Sequence, residues 1–401
     1  MVASSRWRNL GAAAGAATAA LFAIFDLYQW ALAYAGDRFH NDFTFYFAAA
    51  RIGLTHGWGS IYDLALQQAQ LDAMGSRITI AQLARYISPP PVAWSALPFT
   101  ALPYEVAYWI WSALLLAALG ATWWLAAPDV GRARVIFLAA ALGWLPVIYG
   151  LQLGQPGLFV ALGVAGSYAL LNAQRPLWAG LALGALALKP QLAFLVPLAL
   201  LVAREYRAFL GSVIALGVLG GASALALGGD GLHAYFDRLS FAAHVPVNSE
   251  LTVAYFAGTG TATRVIQLTF AVWSLGLASL MRRRGIEWVY ACALVGGMVA
   301  TPYVHLDDLV MLGLAAWLVL RARPAAGVWT WVYALAAVLA VEGEPIWGPM
   351  PVILAEFGAL ILLSGLALKT GGWTEARPGS SYEGAPGEPN PARLARRTTL
   401  P

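Results

Sequence analysis

The chain has 401 residues, of which 60% are hydrophobic and only 11% charged, with a formal net charge of +4. Soluble domains carry roughly 25% charged residues, so the composition excludes an ordinary soluble enzyme, and the small positive balance carries no nucleic-acid footprint. A single cysteine, Cys292, excludes an intrachain disulfide.

In chain order, basic Met1–Asn9 precedes a first span at Leu10–Ala35. That run is too long for a signal-peptide core and reads as an anchor. Arg6 and Arg8 put the N-terminus in the cytoplasm. Gly36–Ser88 is then an outer segment, polar and aromatic. Within it, helical spacing sets Asp42, Tyr46, Ala49 and Gly53 on one face and Thr44, Arg51 and Thr55 on another. The expectation is a short helix lying flat at the membrane surface, aromatic face in lipid, with Asp42 at its start. Asp42 there either caps the helix or acts as a general base, and one role does not exclude the other.

Pro89–Thr100 is short for a span, which needs about 20 residues. Further spans are expected at Tyr104–Ala127, Val135–Gly150, Pro156–Leu171, Pro176–Leu188, Pro190–Ala203 and Phe209–Leu227. Ala262–Met281, Trp288–Tyr303, Leu309–Leu320, Val328–Val341 and Pro351–Leu368 follow. Val135–Gln174 contains no Asp, Glu, Lys or Arg. Two topologies compete: Pro89–Thr100 re-entrant with Pro176–Ala203 crossing twice, or the first crossing and the second kinked at Pro190. Both give about twelve spans with both termini inside; the first also keeps Arg132, Arg134 and Arg175 inside and is preferred. Arg282, Arg283, Arg284, Arg321 and Arg323 mark the same side. Residues 1–370 thus form one membrane domain, with outer loops at 36–88 and 228–260. Residues 371–401, rich in Gly, Pro, Ser and Arg, are expected to be a disordered cytoplasmic tail.

In this arrangement all five histidines face outward. Asp26 and Glu356 are carboxylates inside spans and rival Asp42 as functional groups. Thr301-Pro302-Tyr303-Val304-His305-Leu306-Asp307-Asp308 could bind a phosphate or a metal, or be a solvated helix start. Lys189-Pro190-Gln191 interrupts an apolar run, so the lysine either reaches an interface or meets an anion.

Taken together, DFTFYFAAARIGLTHGWGSIYD, SPPPVAWSALPFTALP, LGQPGLFVAL, AGLALGALALKPQLAFLVPLALLVARE and TPYVHLDDLVML resemble glycosyltransferase family 87. These are polyprenyl-phosphate-sugar-dependent enzymes of the GT-C superfamily. The resemblance rests on the order and spacing of these pieces over roughly Leu10–Leu368. It implies an all-α polytopic membrane protein, a GT-C-like bundle of about 12 transmembrane helices with outward-facing loop helices. It further implies Asp42 as general base and His305, Lys189 and Gln191 at the substrate. Tyr46, Arg51, Tyr62, Gln155, Arg264 and Asp308 complete the candidate substrate contacts, with Lys189, Arg264 and His305 as the cations for a phosphate. Gly154-Gln155-Pro156-Gly157 departs from the family's Gly-Gln-x-Asn turn, so the asparagine has no counterpart here. The implied reaction is inverting transfer of a mannose- or pentose-like sugar from a polyprenyl-phosphate donor to a lipid or polysaccharide acceptor. It would occur at the outer face of a bacterial plasma membrane, with no cofactor or metal implied and no nucleic acid as partner. A transporter or flippase is the alternative; against it, the chain has no internal repeat and no matching pair of broken helices.

Overall fold

The computed structural model describes residues 2–80, 85–128, 134–323 and 328–368, which are helical with no strand among them. The first helix, α1 (Val2–Gly36), is alanine-rich and free of proline, and it runs unbroken. The following segment folds as α2 (Phe43–His56) and α3 (Leu64–Ala73), the latter capped by Asp63 Oδ1 accepting the Ala65 and Leu66 N–H groups at 2.8 and 3.0 Å.

α2 does not lie in lipid. Phe43 through Ala50 are all buried, as are Ile52 and Gly53. Its aromatic residues pack on protein: the Phe43 ring lies 5.2 Å from Trp111 and 6.1 Å from Tyr104, and Phe47 lies 5.6 Å from Tyr104. The expectation of an interfacial helix fails because neighbouring elements close over its aromatic residues, which sequence spacing alone does not register. α3 and α4 (Pro90–Ala96) cover it.

α5 (Tyr104–Ala126) is a continuous span. Beyond it the chain is repeatedly cut. α6 (Arg134–Leu142) and α7 (Leu145–Leu153) meet at a 57° bend around Gly143 and Trp144. α8 (Gly157–Asn172) has 16 residues and α9 (Pro176–Ala182) has 7. A 3₁₀ turn, Leu183–Ala187, follows α9; a second, Pro190–Leu192, precedes α10 (Leu195–Val202). Prolines stand at or beside these helix starts, where a missing N–H breaks no ladder. α11 (Tyr206–Ala243) is the longest helix, with 38 residues, and bends at Gly228, whose φ of +64° suits glycine. The rest are α12 (Ala254–Ala257), α13 (Thr261–Met281), α14 (Ile286–Ala300), α15 (Val310–Ala322), α16 (Val328–Glu342), α17 (Glu344–Trp347) and α18 (Met350–Leu368).

This is an all-α polytopic membrane protein. Among the described residues α1, α5, α11, α13 and α18 are long and apolar enough to cross a membrane, and the bent α6–α7 pair would make a sixth. The expected count of about twelve is therefore not met by twelve helices of spanning length. Proline and glycine divide several apolar runs into short helices, which hydropathy alone reads as spans. Pro89–Thr100 makes α4 and a 3₁₀ turn, too short to cross.

α14 is the hub. Every residue from Trp288 to Ala300 is buried, against α10, α13, α15 and α18. Arg282, Arg283 and Arg284 precede it and His305 follows it, so these positions lie at opposite ends of the bundle. Arg132 and the tail 371–401 lie outside the described residues.

Candidate active site

The site starts where α7 ends. Gly154 takes the left-handed conformation (φ +71°) that terminates the helix, and the Gln155 N–H returns to Gly150 O at 2.8 Å. A Cβ on Gly154 would meet Phe43 Cβ at 2.8 Å, so only glycine lets α2 approach this turn. Trp111 Nε1 donates to Gly154 O at 2.8 Å and fixes the turn from α5. The Asp42 N–H then bonds to Leu153 O at 2.8 Å, setting Asp42 beside Gln155.

Asp42 does not cap α2: its carboxylate makes no cap bond, and Asn41 Oδ1 accepts the Thr44 N–H instead, at 3.1 Å. The half-buried Asp42 side chain accepts a hydrogen bond at Oδ2 from Gln155 Nε2. Gln155 Oε1 in turn accepts from Tyr46 OH at 3.2 Å and from Lys189 Nζ at 3.0 Å. Lys189, buried in the break between α9 and α10, also donates to Asp307 Oδ2 at 2.7 Å and pairs with Asp308. Asp308 Oδ2 accepts the His305 N–H at 2.9 Å. His305 Nε2 meets Asn248 Oδ1 at 2.8 Å. One continuous set of contacts thus joins Asp42 to His305.

For these residues the structure decides between the alternatives left open. Lys189 does not reach toward an interface; it sits among carboxylates. Asp307 and Asp308 are not a solvated helix start, being 2% and 0% exposed. Burying charge demands partners, and the lysine between them supplies one. Among the described residues no three His, Cys, Asp or Glu side chains converge as metal ligands.

Electrostatics distinguish the carboxylates. Burial pushes Asp42 up to about 6, aided by the negative charge of Asp307 and opposed by Lys189 and the Gln155 hydrogen bond. Burial also pushes Asp308 upward, whereas for Asp307 the adjacent Lys189 outweighs burial and holds it below the usual range. Burial would lower Lys189, but Asp307 and Asp308 more than reverse this and keep it protonated. For His305, burial lowers the ring, with Asp307 opposing and Lys189 adding. Asp42 is therefore a carboxylate poised near neutrality at one end of a committed ion cluster.

The sequence pattern of glycosyltransferase family 87 matches residues 86–341, more than half of the chain. The chain belongs to that family. Comparison with curated proteins and with solved structures finds no match. The matched region of this family 87 chain contains Gln155, Lys189, Asn248, His305, Asp307 and Asp308, while Asp42 and Tyr46 precede it and join by folding.

The remaining candidates stand apart from the network. Tyr62 forms a backing layer: its OH donates to Ser88 O at 2.8 Å and its ring stacks on Tyr86, which in turn meets Tyr46 edge-on. Arg51 lies 5.1 Å over the Phe47 ring. Gln191 is half-buried in the 3₁₀ turn after Lys189, and Arg264 is exposed on α13. Asn248 escaped the sequence reasoning because an asparagine in a loop carries no signal of its contacts. Asp307 was part of a recognised motif, but nothing in His-Leu-Asp-Asp says which carboxylate meets the lysine.

Proposed function

We propose that this membrane glycosyltransferase moves a mannose- or pentose-like sugar from a polyprenyl-phosphate donor to a lipid or glycan acceptor, with inversion, at the outer face of the plasma membrane. The observation that carries the reading is the uncapped Asp42 carboxylate, held by Gln155 and joined through it to Lys189. Asp42 takes the proton of the acceptor hydroxyl. The hydroxyl oxygen attacks the anomeric carbon from the face opposite the phosphate, the C–O bond to the phosphate breaks, and the polyprenyl phosphate leaves with the bonding electrons. A carboxylate raised to about 6 suits a base working near neutral pH.

His305 and Lys189 serve the phosphate. Lys189 is already shared by Asp307 and Asp308, so its role is to fix the local charge pattern, and His305 makes the contact. The arginines support the outward placement. Arg134, Arg284 and Arg321 gather at the end of the bundle remote from Asp42, and clustered arginine marks the cytoplasmic side.

The test is a reconstituted transfer assay with synthetic prenyl-phosphate mannose and prenyl-phosphate arabinose, with product configuration read by NMR. Asp42→Asn should lower turnover by about 10²–10⁴-fold and leave thermal stability unchanged. Near-normal transfer by Asp42→Asn, with Asp26→Asn inactive, would overturn the assignment of the base.

A further inference from the structure

Beyond its bend at Gly228, α11 continues as 229–243 and packs on the first outer segment, with the Tyr235 ring stacked 5.0 Å from Tyr62. The bend is seated on Gly59: a Cβ there would meet Leu227 O at 2.9 Å, and one on Gly231 would meet Gly59 Cα at 2.9 Å. Beside the bend lies a groove of about 500 Å³, within the usual size of a small-molecule site. One wall is the half of α11 before the bend; the other is α10 with Pro190, and Pro89–Pro91 and Tyr235 close one end. Its walls are apolar, and the Ser223 hydroxyl on them already donates to Leu219 O at 2.7 Å. At about 1.5 Å per residue, the lined stretch 216–227 runs about 16 Å along the helix. Leu198 and Phe236 at its edges are exposed, so the groove opens sideways toward lipid.

The rim beside Tyr235 is positively charged. Arg238 lies three residues on along α11, a surface neighbour of Tyr235. Arg85 lies 4.1 Å over the Phe241 ring of the same helix. The two guanidiniums feel each other: burial first, then the charge of Arg238, push Arg85 below its ordinary range. Among the described residues Arg238 has no carboxylate in ion-pair reach, and its buried Nε has no hydrogen-bond partner. The adjacent Asp237 faces His233 instead, at 3.7 Å. Two like charges side by side and a buried donor without an acceptor are both unfavourable. One anion between them relieves both, and a phosphate matches the guanidinium fork. We propose that the groove binds a membrane phospholipid of net negative charge, with its phosphate on Arg238 and Arg85 and one acyl chain lying along 216–227. The groove is separate from the reaction site: Asp42, Gln155, Lys189 and His305 are not among its lining residues. The stacked rings of Tyr235, Tyr62 and Tyr86 stand between it and Tyr46, so a sugar phosphate held at Arg238 would lie behind that wall from Asp42.

The probes are dioleoyl phosphatidylglycerol and dioleoyl phosphatidylcholine, which share their chains and differ in net charge. Native mass spectrometry of the full-length protein released from detergent reads the affinity of the first lipid bound. The wild type should prefer phosphatidylglycerol by about tenfold or more, as a charge-assisted contact implies. Arg238→Gln should bring phosphatidylglycerol down to the level of phosphatidylcholine, and Arg238→Lys should keep most of the preference. Ala224→Trp, which fills the groove without touching the rim, should weaken both lipids alike; thermal melting confirms that each variant is folded. An undiminished preference in Arg238→Gln would overturn the headgroup contact. Wild-type affinities in Ala224→Trp would remove the chain from the groove. Displacement of phosphatidylglycerol by equimolar farnesyl phosphate, with Arg238→Gln weakening that ligand equally, would give the groove to a prenyl phosphate and overturn the phospholipid. Turnover enters none of these readouts, so they stand apart from the assignment of Asp42.

Discussion

The two ends of the bundle carry charge in opposite ways. At one end Asp307, Asp308 and Lys189 are buried and face one another, with Asp42 reached through Gln155. At the other end Arg284 and Arg321 bind the carbonyls that helices leave open. Arg284 Nη2 donates to Ala367 O at 2.9 Å at the end of α18. Arg321 donates to Ala127 O at 3.1 Å and Leu125 O at 3.3 Å at the end of α5. Both place a cation at the negative end of a helix, a stabilising arrangement with a plain structural return. The acidic end offers no such return. Two carboxylates share one ammonium, and buried ion pairs are often no more stable than apolar groups of the same shape. A fold selected for stability alone has no use for that arrangement, so the contrast points to chemistry at the acidic end and anchorage at the arginine end.

The comparison is most sharply broken at Lys189. Lys189→Met should destabilise the protein by about 3–5 kcal/mol, since it strands two buried carboxylates without their cation. Asp307→Asn in the same chain should restore part of the loss by removing one stranded charge. Thermal melting of the detergent-solubilised protein reads both. A Lys189→Met protein as stable as the wild type would mean that the ion cluster is not the buried unit described.

Next in size is the effect of pH on turnover. As the proposed base, Asp42 must be ionised to act, and burial raises it to about 6, so it is protonated and idle below that value. At saturating donor, turnover should fall about tenfold per unit below about pH 6 and level off above it. Lys189 is held protonated and adds no limb near neutrality. Asp307→Asn removes a like charge and loosens the hold on Lys189, and both effects lower Asp42, so the limb should move to lower pH. An unshifted limb in that variant would show that Asp42 does not feel the cluster.

Lys189 stands out in the sequence as an ionisable residue interrupting an apolar run, where charge needs a reason, whereas Asp42 and His305 lie in polar outer segments and stand out through the family resemblance. The all-α membrane class is legible from composition alone. What the sequence hides is set by geometry between distant elements. Asn248 reaches His305 only because α11, 38 residues long in all, continues past its bend at Gly228 and delivers the Pro246–Asn248 turn to the site. Arg264, a candidate cation for the phosphate, is exposed on α13, apart from the contacts that join Asp42 to His305. The count of spans misleads because hydropathy does not register that Gly143, Pro176 and Pro190 cut apolar runs into helices of fewer than 20 residues. α2 misleads for a related reason: aromatic residues suit lipid and protein interiors equally, and only the neighbouring α3 and α4 decide between them.

The smallest expected effect tests the arginine end. Arg321 joins α15 to the end of α5 through two carbonyls, and its guanidinium lies 5.7 Å over the Tyr168 ring. A cation at a helix C-terminus contributes about 0.3–1 kcal/mol, and a cation–π contact about 0.5–1 kcal/mol where water still reaches it. Arg321→Ala should therefore lower stability by about 1–2 kcal/mol. Tyr168 keeps its hydrogen bond to Glu287 at 2.8 Å, so the neighbouring packing has a second support. Turnover per folded molecule should stay within about twofold of the wild type, because this end touches neither Asp42 nor His305 and distant sites behave additively. Arg321→Lys should recover part of the lost stability but not all, since an ammonium cannot span two carbonyls and a ring as a planar guanidinium does. The decisive measurement is the pair of numbers from one preparation, melting temperature and turnover corrected for folded protein. A tenfold loss of corrected turnover in Arg321→Ala would show that the arginine end takes part in the reaction, and the division between chemistry at one end and anchorage at the other would fall.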